Sequence, residues 1–280
     1  MTAPASTQAL LSDPRALRRR IADVLFEDHL RESGSADARA FEASSAVLFL
    51  LGWLRADGAG PEPCLVLNKR STLVKQPGDL CCPGGGISRE WDPVLAHALG
   101  LPGMPLRRWP HYRRWRDGEG DRRVPLILAA ALREAFEEMR LNPFVTTFLG
   151  LLPAQPLYLR GRSIRPAVAW LHRPQTFHPN WEVDKIVIVP LRVLMDPSRY
   201  ARLHVHYAPG FDPGASRPVR EFPCVLLGDG DAEEILWGAT WRIISRFLTL
   251  VFGFTEPALE TLPGRELTLS ASYLSGRVGQ

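Results

Sequence analysis

The sequence predicts an α+β sandwich. Three observations lead there: apolar runs of strand length recur along the chain, two longer stretches have helical periodicity, and the two kinds of element follow one another without regular βα alternation. Ser12-Asp13-Pro14 reads as the cap of a helix running to about Phe26. The polar residues 27–43 read as loop. Ser45–Leu54 and Cys64–Asn68 are strand candidates, joined by a Gly- and Pro-rich turn at Ala56–Pro63. Gly78–Gly86 (GDLCCPGGG) reads as a short strand breaking into a glycine loop.

Residues 93–124 differ from their surroundings. Seven arginines fall between Arg107 and Arg123, against Asp117, Glu119 and Asp121. With Pro102, Pro105 and Pro110, the segment reads as an excursion from the domain, an Arg-rich insert. A helix is predicted over about Leu126–Leu141. Strand candidates follow at Val145–Leu152, Arg165–Leu171, Lys185–Val189, Leu203–Tyr207 and Phe222–Leu227, and the last strong element is a helix from Ala232 to about Phe252. The implied organisation is an N-terminal helix and loop (1–43), a main domain (44–255) holding the insert at about 93–124, and a C-terminal tail (256–280).

Composition sets broad limits. The chain has 280 residues, 45% apolar and 23% charged, with a net charge of +4, which suits a globular protein with a sizeable core. The basic balance is compatible with an anionic substrate and equally with no anionic partner. No apolar run reaches the roughly 18–20 residues of a membrane span, so no membrane partner is expected. The first twenty residues lack the apolar stretch of a signal peptide, and Asp13 and Asp23 argue against a transit peptide. Cys64, Cys81, Cys82 and Cys224 form no CxxC pair and read as free thiols of a cytoplasmic protein. Cys81 and Cys82 are expected to face opposite sides of a strand.

The chemistry concentrates in ALREAFEEMRL, residues 131–141. With Glu134 at 0°, Glu138 lies at about 40° and Glu137 at about 300° around a helix. Leu128, Leu132, Ala135, Phe136 and Met139 fall on a separate apolar face. Such a pattern fits a solvated acidic face. It also fits a cation site, because three carboxylates at i, i+3 and i+4 repel one another until a hard divalent ion accepts their oxygens. Arg133 is spaced to pair with Glu137. Upstream, Pro83-Gly84-Gly85-Gly86 allows backbone to approach a ligand, or is an ordinary turn.

The glycine loop followed by Arg133-Glu134-Ala135-Phe136-Glu137-Glu138 resembles the Nudix box, G-x5-E-x7-R-E-U-x-E-E-x-G-U. Lys69-Arg70-Ser71, Leu73, Gly78 and Pro83-Gly84-Gly85 resemble the upstream signature of the coenzyme A diphosphatase branch. Asn180-Trp181-Glu182-Val183, Val189-Pro190-Leu191 and Leu236-Trp237-Gly238-Ala239-Thr240 resemble further segments of it. The resemblance spans roughly residues 45–253.

It implies an α/β/α sandwich with a mixed central sheet. It also implies Mg²⁺- or Mn²⁺-dependent hydrolysis of a diphosphate bond in a small-molecule substrate, coenzyme A or acyl-coenzyme A foremost. Under it, Glu134, Glu137 and Glu138 are metal ligands and Gly84 or Gly85 adds a carbonyl. Glu134 activates water, Arg133 orients the carboxylates, and Lys69, Arg70 and Gly85 meet the substrate. Glu182 is a further acid. The sequence departs from the pattern in five places. Val74, Gln76 and Cys82 stand where the branch has Arg, His and Phe. Arg140 stands where the box ends in Gly, with Asn142 expected to take over the turn. Trp91 holds the first acidic position, flanked by Glu90 and Asp92.

The run LRRWPHYRRWR suits a substrate lid, an RNA-binding arm, a subunit contact in a homodimer, or a surface loop. His204 and His206 alternate on a strand without a third ligand at metal spacing and read as surface histidines. Trp237 and Trp241 read as core. Ser71 lacks His and Asp partners at nucleophile spacing. A non-catalytic nucleotide- or RNA-binding module, and hydrolysis of another nucleoside diphosphate derivative, remain the competing expectations.

Overall fold

Two helices open the chain, α1 (Ala5–Ser12) and α2 (Pro14–Ser33). Asp13 caps α2: its Oδ1 accepts the backbone N–H groups of Arg15 and Ala16. The helix continues beyond Phe26, where the sequence suggested loop, because Leu17, Ile21, Leu25 and then His29 keep one stripe buried. The computed structural model describes residues 5–33, 45–56, 60–118, 121–156, 163–207, 219–228, 230, 233–270 and 273. The loop expected at 34–43, the middle of the 56–63 turn, Glu119 and the tail beyond Tyr273 lie outside them.

The remaining elements are β1 (Ser45–Arg55), β2 (Pro61–Arg70), β3 (Leu80–Cys81), β4 (Gly84–Gly86), α3 (Asp92–Ala98), α4 (Tyr112–Arg116), α5 (Val124–Met139), β5 (Thr146–Leu151), β6 (Gln155–Pro156), β7 (Ser163–Leu171), β8 (Val183–Pro190), α6 (Leu191–Leu194), β9 (Tyr200–Tyr207), β10 (Val219–Leu227), β11 (Glu234–Leu236), α7 (Gly238–Phe252) and β12 (Gly264–Leu269).

The larger sheet runs β3-β2-β1-β7-β5, with β8 on β2 and β4 on β1. Strand β1 pairs antiparallel with β2 (Leu50 opposite Val66) and parallel with β7 (Phe49 opposite Val168), so the sheet is mixed. Its side chains alternate between two cores. Ala46, Leu48 and Leu50 pack with Leu128, Ala131 and Ala135 of α5. Phe49 and Leu51 pack with Leu17 and Ile21 of α2 and Phe247 of α7. Helices therefore cover both faces, giving the α/β/α sandwich with a mixed central sheet that the sequence led us to expect.

Four expectations need correction. Residues 93–124 are no excursion: Leu99, Leu106 and Trp109 join the core under α5, and the Trp109 indole N–H donates to the Leu149 carbonyl at 3.1 Å. His111 pairs with Asp23 at 2.8 Å and stacks on Phe26, which docks the segment on α2. The last helix starts at Gly238, since Glu234–Leu236 pairs as an edge strand with β10. The segment read as a tail contains β12, parallel to β9 and closing a second sheet in the order β11-β10-β9-β12. Finally, Phe136 of α5 lies off the apolar face, 48% exposed, under the Arg140 guanidinium at 5.2 Å.

Candidate active site

Helix α5 and the glycine strand β4 meet at one end of β1. Gly84, Gly85 and Gly86 pair with Val47, Ala46 and Ser45. A Cβ on Gly84 would stand 2.4 Å from the Ala46 carbonyl oxygen, and one on Gly85 2.6 Å from Cδ of Glu134. The absence of side chains is what lets the strand lie against both β1 and the acidic face of α5. Beyond Met139, Arg140 itself takes the left-handed conformation (φ 57°, ψ 38°) that ends the helix, with its N–H donating to Phe136 at 3.0 Å. Asn142 does not take over that turn; its side chain caps the next one by accepting the Phe144 N–H at 2.9 Å.

Glu138 is 8% exposed. Its carboxylate accepts the Asn68 amide at 2.7 Å and the Gly84 N–H at 3.5 Å. No cationic side chain pairs with it among the described residues. Burial pushes its carboxyl up to about 7, and the charges of Glu134 and Glu182 push the same way, against the Gly84 and Asn68 hydrogen bonds. Burial also raises Glu134, opposed by Arg133, which lies 3.0 Å away. Asn68 Oδ1 is buried without a hydrogen-bond partner.

Arg133 ties the site together. Its Nε donates to Asp92 at 2.8 Å, its Nη2 to the Gly86 carbonyl at 2.9 Å and its Nη1 to Glu137 at 3.2 Å. Asp92 is fully buried and also accepts the Ser88 N–H at 2.6 Å. Of the two acids flanking Trp91, Asp92 thus reaches the helix, while Glu90 is exposed.

A cleft of about 260 Å³ is lined by Glu134, Glu138, Glu182, Asn68, Arg70 and Cys81, together with Val183 and the three glycines. Arg133, Asp92 and Glu90 stand outside it, and so do Glu137 and Lys69. Glu137 is 51% exposed and turned to Arg133. Lys69 pairs with Glu234 at 2.7 Å, an acid it shares with Lys185. Arg70 lines the cleft while its Nε donates to the Lys75 carbonyl at 2.6 Å. Among the described residues, no group of three His, Cys, Asp or Glu side chains is gathered as a metal-binding set. Sequence pattern marks neither Asn68 nor Cys81 as a site residue; an amide ending the apolar run CLVLN is the available signal for Asn68. Cys82 turns from the cleft into the core, opposite Cys81 as expected, and all four cysteines are free.

No family model matches the chain. Curated relatives do align, and they are Nudix hydrolases, in keeping with the motifs above. The chain is 29% identical over 162 residues (57% of this chain, 54% of the relative) to the peroxisomal coenzyme A diphosphatase ndx-8 of Caenorhabditis elegans. It is 27% identical over 148 residues (52% and 59%) to the uncharacterized Nudix hydrolase NudL of Cronobacter sakazakii. The chain spans just over half the length of these relatives. Among solved structures it aligns with a Nudix hydrolase from Alicyclobacillus acidocaldarius (14% identity, 55% of this chain, 82% of that one, TM-score 0.35). It also aligns with the Ap4A hydrolase of C. elegans in a binary complex (15% identity, 53% and 80%, TM-score 0.34).

Proposed function

We propose that this chain hydrolyses a diphosphate bond in a nucleotide-type substrate with the help of a divalent cation, and that coenzyme A or an acyl-coenzyme A is the substrate. The observation that carries the reading is Glu138: a buried carboxylate with no cationic partner among the described residues, in a cleft shared with Glu134 and Glu182. Burying an unpaired charge is costly, and a hard cation removes that cost while accepting carboxylate oxygens. The donor chemistry fits Mg²⁺ or Mn²⁺, with Glu138 and Glu134 as principal ligands, Glu137 joining if released from Arg133, and a carbonyl of Gly84 or Gly85 beside them. Such an ion neutralises phosphate oxygens and lowers the pKa of bound water.

The chain's own residues supply the rest. Glu134 accepts the proton of the attacking water, its raised pKa suiting that task. Arg133 holds Glu134 and Glu137 in place and is itself fixed by Asp92. Arg70 meets a phosphate oxygen at the cleft wall. Glu182 adds a third acid at the cleft. Cleavage of coenzyme A in this way yields phosphopantetheine and adenosine 3′,5′-bisphosphate. The similarity to a coenzyme A diphosphatase supports that substrate.

The test is a Mg²⁺/Mn²⁺-dependent hydrolysis panel that includes coenzyme A, run with the natural chain and with Glu138→Gln. Turnover that disappears in the folded variant is the expected result. Full activity in Glu138→Gln would sink the assignment. The open metal set and the turned-away Glu137 favour a second reading, a nucleotide-binding module without catalysis; binding of coenzyme A with no turnover of any diphosphate would select it.

A further inference from the structure

At the opposite end of β1 from the glycine strand, three guanidiniums and a histidine gather where β5 and β7 meet. Val47 pairs with Gly84 and Gly52 with Leu171, so the two places are roughly 16 Å apart along the strand. Arg108 reaches this spot from the segment between α3 and α4 and donates to the Phe144 and Thr146 carbonyls at 2.7 and 3.1 Å. His172 Nδ1 lies 3.5 Å from Thr147 Oγ1. Trp170 pairs with Thr147, and the Arg18 guanidinium of α2 lies over its ring at 5.9 Å. Arg173 follows His172 and is exposed.

Among the described residues, no ion pair joins a carboxylate to this group. Arg108, Arg173 and Arg18 pair with no acid among the described residues. Burial holds the His172 ring below the usual histidine range, and the three guanidiniums add to that effect. Like charges so placed repel one another, and an anion between them removes the repulsion. Arg19 and Arg107, each next in sequence to one of these arginines, are exposed. Phe144, 58% exposed, borders it and offers a ring face.

We propose that this surface binds single-stranded nucleic acid, with Arg18, Arg108, Arg173 and His172 contacting backbone phosphates and Phe144 stacking on a base. Arg108 and Arg173 are exposed, and several guanidiniums spread over three elements suit a ligand carrying several phosphates better than one small anion. The exposed ring beside the cations favours a strand with free bases over a lipid surface. The site is separate from the candidate active site and does not depend on its chemistry.

The test is fluorescence anisotropy of the full chain with an end-labelled oligouridylate of about 12 nucleotides, read at about 50 and about 200 mM salt. Binding that weakens about tenfold or more over that salt range is expected. Arg18→Ala/Arg108→Ala/Arg173→Ala is expected to lose about tenfold or more at low salt, with diphosphate hydrolysis unchanged. Because Arg108 also holds backbone carbonyls, Arg173→Glu, confined to an exposed position, serves as the second variant; it should weaken binding at an unchanged melting temperature. No binding at the lower salt overturns the proposal, as does equal affinity in both variants. Capture by phosphatidylserine vesicles without oligonucleotide binding overturns it in favour of a lipid surface.

Discussion

A methyl group on residue 85 would stand 2.6 Å from the Glu134 carboxyl carbon. Either the acid or the glycine strand has to move. Gly85→Ala is therefore expected to lower diphosphate hydrolysis by about a hundredfold, the cost of misplacing a reacting group by about an ångström, while the circular dichroism spectrum stays the same. Unchanged turnover would mean that Glu134 works from another position or does not work at all. The residue scale is also where the sequence was most legible. Glu134, Glu138 and Arg133 were marked as candidates by helical spacing and the likeness to a family motif together, because helical periodicity fixes which side chains share a face. Asn68 was not, because its role depends on a residue seventy positions away.

At the scale of elements, the arginine-rich segment shows how composition misleads. Its composition suggested an excursion from the domain, serving as a lid, an RNA-binding arm, a subunit contact or a surface loop. In the fold, Trp109 is 4% exposed, with its ring 4.9 Å from Phe148 and 5.5 Å from Phe26. The arginines stay outside while the aromatic rings go in, a division that a short irregular segment hides because it lacks a single period. Trp109→Ala should cost about 3–5 kcal/mol in equilibrium urea unfolding. Arg113→Ala, an exposed change a few residues on, should stay within about 0.5 kcal/mol. Equal effects would contradict the buried anchor. Helix α5 gives the converse case: Arg140 replaced a glycine of the motif, yet it adopts the same left-handed turn, with its guanidinium over Phe136.

Across the whole molecule, distant segments converge on Asp79 in the turn before β3. The Tyr273 hydroxyl donates to it, and so does the Trp237 indole N–H at 3.3 Å; Gln76 N–H donates to the Tyr273 carbonyl at 2.7 Å. Burial lifts the Asp79 carboxyl from 3.8 to about 6, against those two hydrogen bonds. The folded state thus holds the Asp79 proton more tightly than the unfolded chain. This residue's contribution to stability accordingly falls as pH rises from about 3.8 to about 6, and is level above that. Asp79→Asn removes that dependence, so its melting temperature should gain on the natural chain across this window and hold the gain above it. A constant difference at every pH would show that Asp79 titrates normally.

The sequence by itself determined the sandwich, its central strands, the acidic helix and its likeness to Nudix hydrolases, because each is written in local periodicity or in short motifs. Only the tertiary structure decided that Glu138 is the buried acid and Glu137 the exposed one. The same is true of Asp92 over Glu90 as the partner of Arg133, of Lys69 facing Glu234 rather than the cleft, and of a strand in the supposed tail. These outcomes turn on burial and on partners far apart in the chain, and neither is fixed until the two faces of the sheet have been covered.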